Sequence, residues 1–221
     1  AGKAFLCTSV ARWIVEEGLR LDVCTGGELA VAERAGVPPG LLGFHGNNKS
    51  IAEIDRAVVA GVGVLVIDSI AEIERIADAA SRHGVVQAVR LRVNSGVHAH
   101  THEYLATARE DQKFGIALSD AADAVAAIRA SSGLEFLGLH SHIGSQIFDS
   151  DGFAEAASRL LALHAGLLND GPVPELNLGG GFGIAYTSVD VALPLDEIAR
   201  ELADIVAVEC ARLGIPVPVV A

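Results

Sequence analysis

A chain of 221 residues that is 51% hydrophobic and 5% aromatic is long enough for one domain with a large aliphatic core, a length that suits a single α/β barrel. Sixteen basic against 28 acidic residues leave a net charge of -12, which repels nucleic acid and anionic membrane with no Lys/Arg run to compensate, so neither is expected as a partner. Cys7, Cys24 and Cys210 form no CxxC pair and no apolar stretch approaches the roughly 20 residues of a membrane span, so the expectation is a reduced, cytoplasmic protein.

Short apolar runs alternate with longer helical patterns, the signature of repeated βα units and a parallel sheet. Eight runs predict strands over 3–6, 19–24, 41–45, 62–68, 87–94, 136–143, 175–179 and 217–221. Seven amphipathic segments predict helices over 8–18, 27–36, 50–60, 70–83, 117–131, 151–168 and 194–213. Thr25 with Glu28, Ser50 with Glu53 and Ser69 with Glu72 have the spacing of capping boxes. Gly18, Gly36, Gly61, Gly84, Gly133 and Gly214 stand where left-handed C-caps are needed. The pattern predicts an eight-stranded parallel (β/α) TIM-type barrel, although a doubly wound open sheet has the same local periodicity. The opening AGKAFLC reads as mid-strand and the closing GIPVPVVA stops inside an extended run, so both termini are expected to be cuts through a larger protein.

In a barrel the chemistry sits at the C-terminal ends of the strands, and polar residues collect there. They are Lys3, Asp22, His45 with Asn47 and Asn48, Asp68, Arg92 with Asn94, His140 and His142 with Ser145, and Gly179 to Gly181. In LNLGGGFGI the glycines follow an apolar strand, where missing side chains let backbone N–H groups approach an anion. The alternative is a tight turn that merely needs positive φ. It is not a dinucleotide fingerprint, because GxGxxG with a downstream ribose-binding acid is not reproduced.

GLHSHIGSQIF puts His140 and His142 on one face of a strand, a spacing open to metal ligation. No third ligand is evident, and the HAHTH cluster at His98, His100 and His102 reads as a solvated polar loop, so no metal is expected. A His142 ring against a planar cofactor, with Ser145 donating to phosphate, accounts for the same residues. Lys3 lies in an apolar run, where a buried ammonium is easily neutralised and can form a Schiff base; a lysine exposed at a chain edge is the bland alternative. Arg90 reads as a structural ion-paired arginine, Trp13 as packing and Cys24 as a small apolar core residue. The long segment 95–112 after Arg92 and Asn94 reads as a lid or binding loop.

Together AGKA, LDVCTGGEL, HGNNKS, RLRVNSGVHAHTHEYLAT, QKFGI, GLHSHIGSQ and NLGGGFGI resemble, in order and along essentially the whole chain, the diaminopimelate decarboxylases of the fold-type III pyridoxal 5'-phosphate enzymes. HGNNKS, AHTHEY and HSHIGSQ favour this branch over relatives acting on ornithine or arginine. The resemblance implies that Lys3 bonds the cofactor aldehyde, that His142 stacks on the pyridine ring, and that Ser145, Gly179, Gly180 and Gly181 hold the phosphate. Asp68, Arg92 and Asn94 would surround the ring. The implied reaction removes the D-centre carboxylate of the amino acid meso-diaminopimelate to give L-lysine and carbon dioxide, in a homodimer. A non-catalytic pyridoxal-phosphate carrier and an unrelated phosphate-binding barrel are the competing readings.

The sequence departs from the family pattern in several places. Gly2 stands where another small residue is common, and Ser95 stands where many members have proline, which is expected to loosen the start of the 95–112 loop. The family's tyrosine before the lysine motif, its Glu-Pro-Gly-Arg after strand eight and its C-terminal β domain have no counterpart here. Residues 1–221 are therefore expected to be a cofactor-binding barrel domain without turnover of its own.

Overall fold

The computed structural model describes residues 1–97, 114–188, 191–192 and 194–221. The predicted helices are all present: α1 (Thr8–Glu16), α2 (Gly26–Ala35), α3 (Ile51–Ala60), α4 (Ile70–His83), α5 (Ala121–Ala130), α6 (Asp151–Leu167) and α7 (Leu195–Leu213). The strands are β1 (Leu21–Val23), β2 (Leu42–Phe44), β3 (Val64–Ile67), β4 (Gln87–Asn94), β5 (Ile116–Ala117), β6 (Leu134–His140), β7 (Glu175–Asn177) and β8 (Val219–Val220). They lie in the order β1-β2-β3-β4-β6-β7-β8, with β5 beside β4, and the pairings within β1–β4, of β4 with β5 and within β6–β8 are parallel. This monotonic order lacks the reversal of a doubly wound sheet and is that of a TIM-type β/α barrel.

By internal packing the chain divides into two compact units, Ala1–Leu91 with Asp123–Leu137, and Arg92–Ala122 with Gly138–Ala221. In the first, Leu21, Val23, Phe44, Leu65 and Ile67 of the strands are buried, as are Leu29, Ile54 and Ile76 of the helices. All four residues of β3 are buried, as expected of a parallel strand covered on both faces, which is why its sequence is apolar throughout instead of alternating. In the second unit Leu139, Leu176, Leu178, Phe153, Leu160 and Val206 form the core. Among the described residues no helix is long and apolar enough to cross a membrane.

Local punctuation follows the expectation in part, and Gly133, expected as a left-handed C-cap, does not have positive φ. Ser50 and Glu53 form a complete capping box on α3, and Gly36, Gly61, Gly84 and Gly214 are left-handed C-caps. Thr25 accepts from the Glu28 amide, but the Glu28 carboxylate bonds the amide of Cys24 instead of that of Thr25.

Four expectations need correction. Lys3 is not in a strand: Gly2–Ala4 is a turn of 3-10 helix, and Lys3 and Phe5 are exposed. A four-residue apolar run carries no periodicity to separate strand from turn. Ile116–Ala117 is a short strand, and the helix expected from 117 begins only at Ala121, because two residues are too few to show an alternation. Ser69 makes no side-chain cap: the Glu72 amide donates to the Ser69 carbonyl at 3.0 Å, and the Glu72 carboxylate is turned to Lys49 and the Asp68 amide. The sixth strand ends at His140, so His142 lies beyond it and the same-face argument for the two histidines fails. The candidate lid falls largely on 98–113, outside the described residues, together with His98, His100 and His102.

Candidate functional site

In the second unit, β7 ends at Asn177 and the chain turns through Gly179, Gly180 and Gly181 against the loop that follows β6. Gly179 and Gly181 have φ of 77° and 102°, while Gly180 between them is not in the positive range. Such alternation turns successive N–H groups toward one side of the chain. Close approach adds a second constraint. A Cβ on Gly179 would stand 2.6 Å from the Ser141 carbonyl oxygen and 3.0 Å from the His142 Nδ1, and one on Gly181 would overlap the Gly144 carbonyl oxygen. A Cβ on Gly180 would meet nothing within 4 Å.

The Gly179 N–H donates to the Asn177 Oδ1 at 2.8 Å, whereas the N–H groups of Gly180 and Gly181 make no hydrogen bond within the described residues. Two unused donors on a bare loop, with the exposed Ser145 hydroxyl on the adjoining segment, form a donor set suited to a phosphate. The residues present therefore fit the phosphate of pyridoxal phosphate.

The two histidines have separate surroundings. His140 is buried and shares a 2.9 Å hydrogen bond with the Asn177 Oδ1, tying the end of β6 to that of β7. His142, half-buried, lies beside Gly179. In the same unit the Arg92 guanidinium sits 5.0 Å from the Phe114 ring centroid. Asn94 accepts from the Gly96 amide at 2.8 Å, Ser95 from the Val97 amide at 3.4 Å, and Arg159 donates to the Ser95 carbonyl. These bonds form local turns over residues 94–97.

In the first unit, Lys3 lies within electrostatic reach of Cys24. Burial, then the Glu28 carboxylate, raise the Cys24 thiol above its ordinary value, and the Lys3 ammonium opposes them. His45 lies 3.4 Å from the Asp22 carboxylate. Asp68 is buried at the end of β3, and its amide donates to the Glu72 Oε2 at 2.8 Å. Sequence reading missed Lys49, whose Nζ lies 2.6 Å from the Gly46 carbonyl, 2.7 Å from that of Val66 and 3.0 Å from Glu72. Its only local signal was a lysine immediately before a capping box. Asn177 and Gln146 were also missed, since their roles depend on segments distant in sequence. Among the described residues no group of three or more His, Cys, Asp and Glu side chains is arranged to hold a metal.

Residues 1–219 match the family described as pyridoxal-dependent decarboxylase, pyridoxal binding domain. A diaminopimelate decarboxylase of Mycobacterium tuberculosis is 52% identical over 227 aligned residues, covering 99% of this chain and 51% of the relative. One of Corynebacterium efficiens is 44% identical, covering 100% and 49%. Among solved structures, a diaminopimelate decarboxylase of M. jannaschii superposes with a TM-score of 0.86 at 27% identity, over 96% of this chain and 49% of that one. The Helicobacter pylori diaminopimelate decarboxylase complexed with L-lysine gives 0.84 at 25% identity, over 96% and 52%. The chain spans about half the length of the curated relatives it matches.

Proposed function

Because this chain belongs to the pyridoxal-dependent decarboxylases, through their pyridoxal-binding domain, we propose that it is the cofactor-binding barrel domain of an enzyme converting meso-diaminopimelate to L-lysine and carbon dioxide. The observation that carries the reading is the glycine cradle: two unused backbone donors, on Gly180 and Gly181, beside His142 and the Ser145 segment. When bound, pyridoxal phosphate supplies a protonated ring that accepts the electrons left on Cα as carbon dioxide departs.

The chain's own residues do the holding. Ser145, Gly180 and Gly181 bind the phosphate, Gly179 gives the loop its close approach to His142 with its own N–H held by Asn177, His142 lies against the ring, and Lys3 supplies the amine that bonds the aldehyde. Asp68, Arg92 and Asn94 border the ring. The exposure of Lys3 leaves its amine reachable by an incoming aldehyde. The 52% identity to a diaminopimelate decarboxylase supports this amino-acid substrate. Three free cysteines accord with a reducing cytoplasm, and we read the complete protein as a homodimer of that compartment.

Borohydride reduction of the complete protein with pyridoxal phosphate, followed by peptide mapping, tests the assignment. A pyridoxyl group on Lys3, absent in Lys3→Ala, is expected. The same label on another lysine would overturn it, and the absence of any bound chromophore would overturn the cofactor reading itself.

A further inference from the structure

Gln146, in the loop after β6, has a φ of 56° and is the one non-glycine residue with positive φ among those described. That conformation is disfavoured for an L-residue. Its side chain makes a reciprocal pair of bonds with one residue of the segment beyond the glycine loop: Nε2 donates to the Ile184 carbonyl and Oε1 accepts from the Ile184 amide, each at 3.1 Å. The amide therefore acts as the edge of a peptide group. Immediately next to it the Ile147 amide donates to the Gly181 carbonyl at 3.0 Å, and the Gly183 amide donates to the Ile147 carbonyl at 2.8 Å. The loop bearing Ser145 and the loop bearing Gly180 and Gly181 are thus joined by hydrogen bonds that leave the two glycine N–H groups unused.

We propose that Gln146 is a positioning residue that clamps these two loops and so holds the Ser145 hydroxyl and the Gly180 and Gly181 N–H groups in a single anion-binding arrangement. The proposal rests on the reading that those groups receive the cofactor phosphate. The residue type follows from the geometry. Glutamate is as long but has no donor for the Ile184 carbonyl, and asparagine is one methylene short. Glycine tolerates the backbone conformation and removes the clamp, so Gln146→Gly separates backbone strain from side-chain bonding.

The test compares pyridoxal phosphate with pyridoxal, which lacks the phosphate, by absorbance titration of the complete protein, with inorganic phosphate as competitor. Gln146→Gly and Gln146→Glu are expected to bind pyridoxal phosphate about 10-fold more weakly, the size of effect that loss of pre-organisation by about two hydrogen bonds produces. Pyridoxal affinity should match that of the wild type, and inorganic phosphate should compete less well. Wild-type affinity for pyridoxal phosphate in Gln146→Gly would overturn the clamp and leave the cradle standing. An equal loss for pyridoxal would make Gln146 a general structural residue, which also overturns the proposal. If the wild type shows neither a preference for the phosphorylated ligand nor competition by phosphate, the cradle reading fails, and the clamp with it.

Discussion

Replacing Lys49 with methionine tests whether the end of the third strand is held by a buried charge. The lysine and Glu72 side chains are 1% and 2% exposed, and the ammonium serves three acceptors: Gly46, Val66 and Glu72. Methionine matches the stem and removes the charge, leaving the Glu72 carboxylate buried with the Asp68 amide as its remaining recorded donor. Breaking a buried pair in this way costs about 3–5 kcal/mol. A typical domain has only about 5–15 kcal/mol of stability, so a substantial fraction is at stake. With a urea m-value of about 2–3 kcal/mol/M, the midpoint should fall by about 1–2.5 M. Adding Glu72→Gln removes the stranded charge while keeping an acceptor for Asp68, and the double variant should regain much of the loss, with a coupling of about 2 kcal/mol in the cycle. A single variant within about 1 kcal/mol of wild type, or a double variant whose cost is the sum of the singles, would refute the argument.

The remaining predictions address the caps, a buried histidine and the cradle. Ser50→Ala should cost about 1 kcal/mol, read by thermal denaturation. The same change should let the Glu53 carboxyl, held below its usual 4.5 chiefly by the Ser50 and Gly26 amides and the Ser50 hydroxyl, move upward in an NMR titration. Glu53 stabilises the fold above pH 4.5 and loses that contribution as pH falls through its lowered value, so Ser50→Ala should also show a weaker acid dependence there. Burial pushes His164 below the usual 6.5, and its buried Nδ1 has no hydrogen-bond partner among the described residues. The unfolded chain then binds the extra proton, and stability drops as pH falls below 6.5. His164→Leu should flatten that part of the profile, whereas an unchanged slope in urea midpoints from pH 7 to 5 would locate the titration elsewhere. Gly181→Ala, at a φ of 102° and facing the Gly144 carbonyl, should displace the loop and weaken pyridoxal phosphate binding by about 100-fold or more. Equilibrium dialysis showing wild-type affinity would place the phosphate away from the cradle.

The Ser50–Glu53 capping box, the C-cap glycines Gly36, Gly61, Gly84 and Gly214 and the runs of β3 and β4 were legible because each depends on residues within a few positions. The cradle was legible in part: three successive glycines after a strand announce a backbone that side chains must not crowd, and Gly179 and Gly181 prove crowded on that account. The role of Ser69 was misread because capping is a weak local preference, and the ammonium of Lys49, contributed from outside that helix, competes more strongly for the Glu72 carboxylate. His142 was misplaced onto a strand because alternation continues past the last ladder bond.

The seven helices, and most of the strands between them with polar residues at their ends, follow from the amino-acid sequence itself, because hydrophobic periodicity and capping are short-range. Which of those polar residues meet was decided only by tertiary structure. His140 pairs with Asn177, Gln146 reaches Ile184 and Lys49 finds Glu72 across separations of 37, 38 and 23 residues, respectively. No local pattern encodes such pairs. They exist because parallel packing brings distant strand ends together, and a buried polar group is stable there only when it finds a partner.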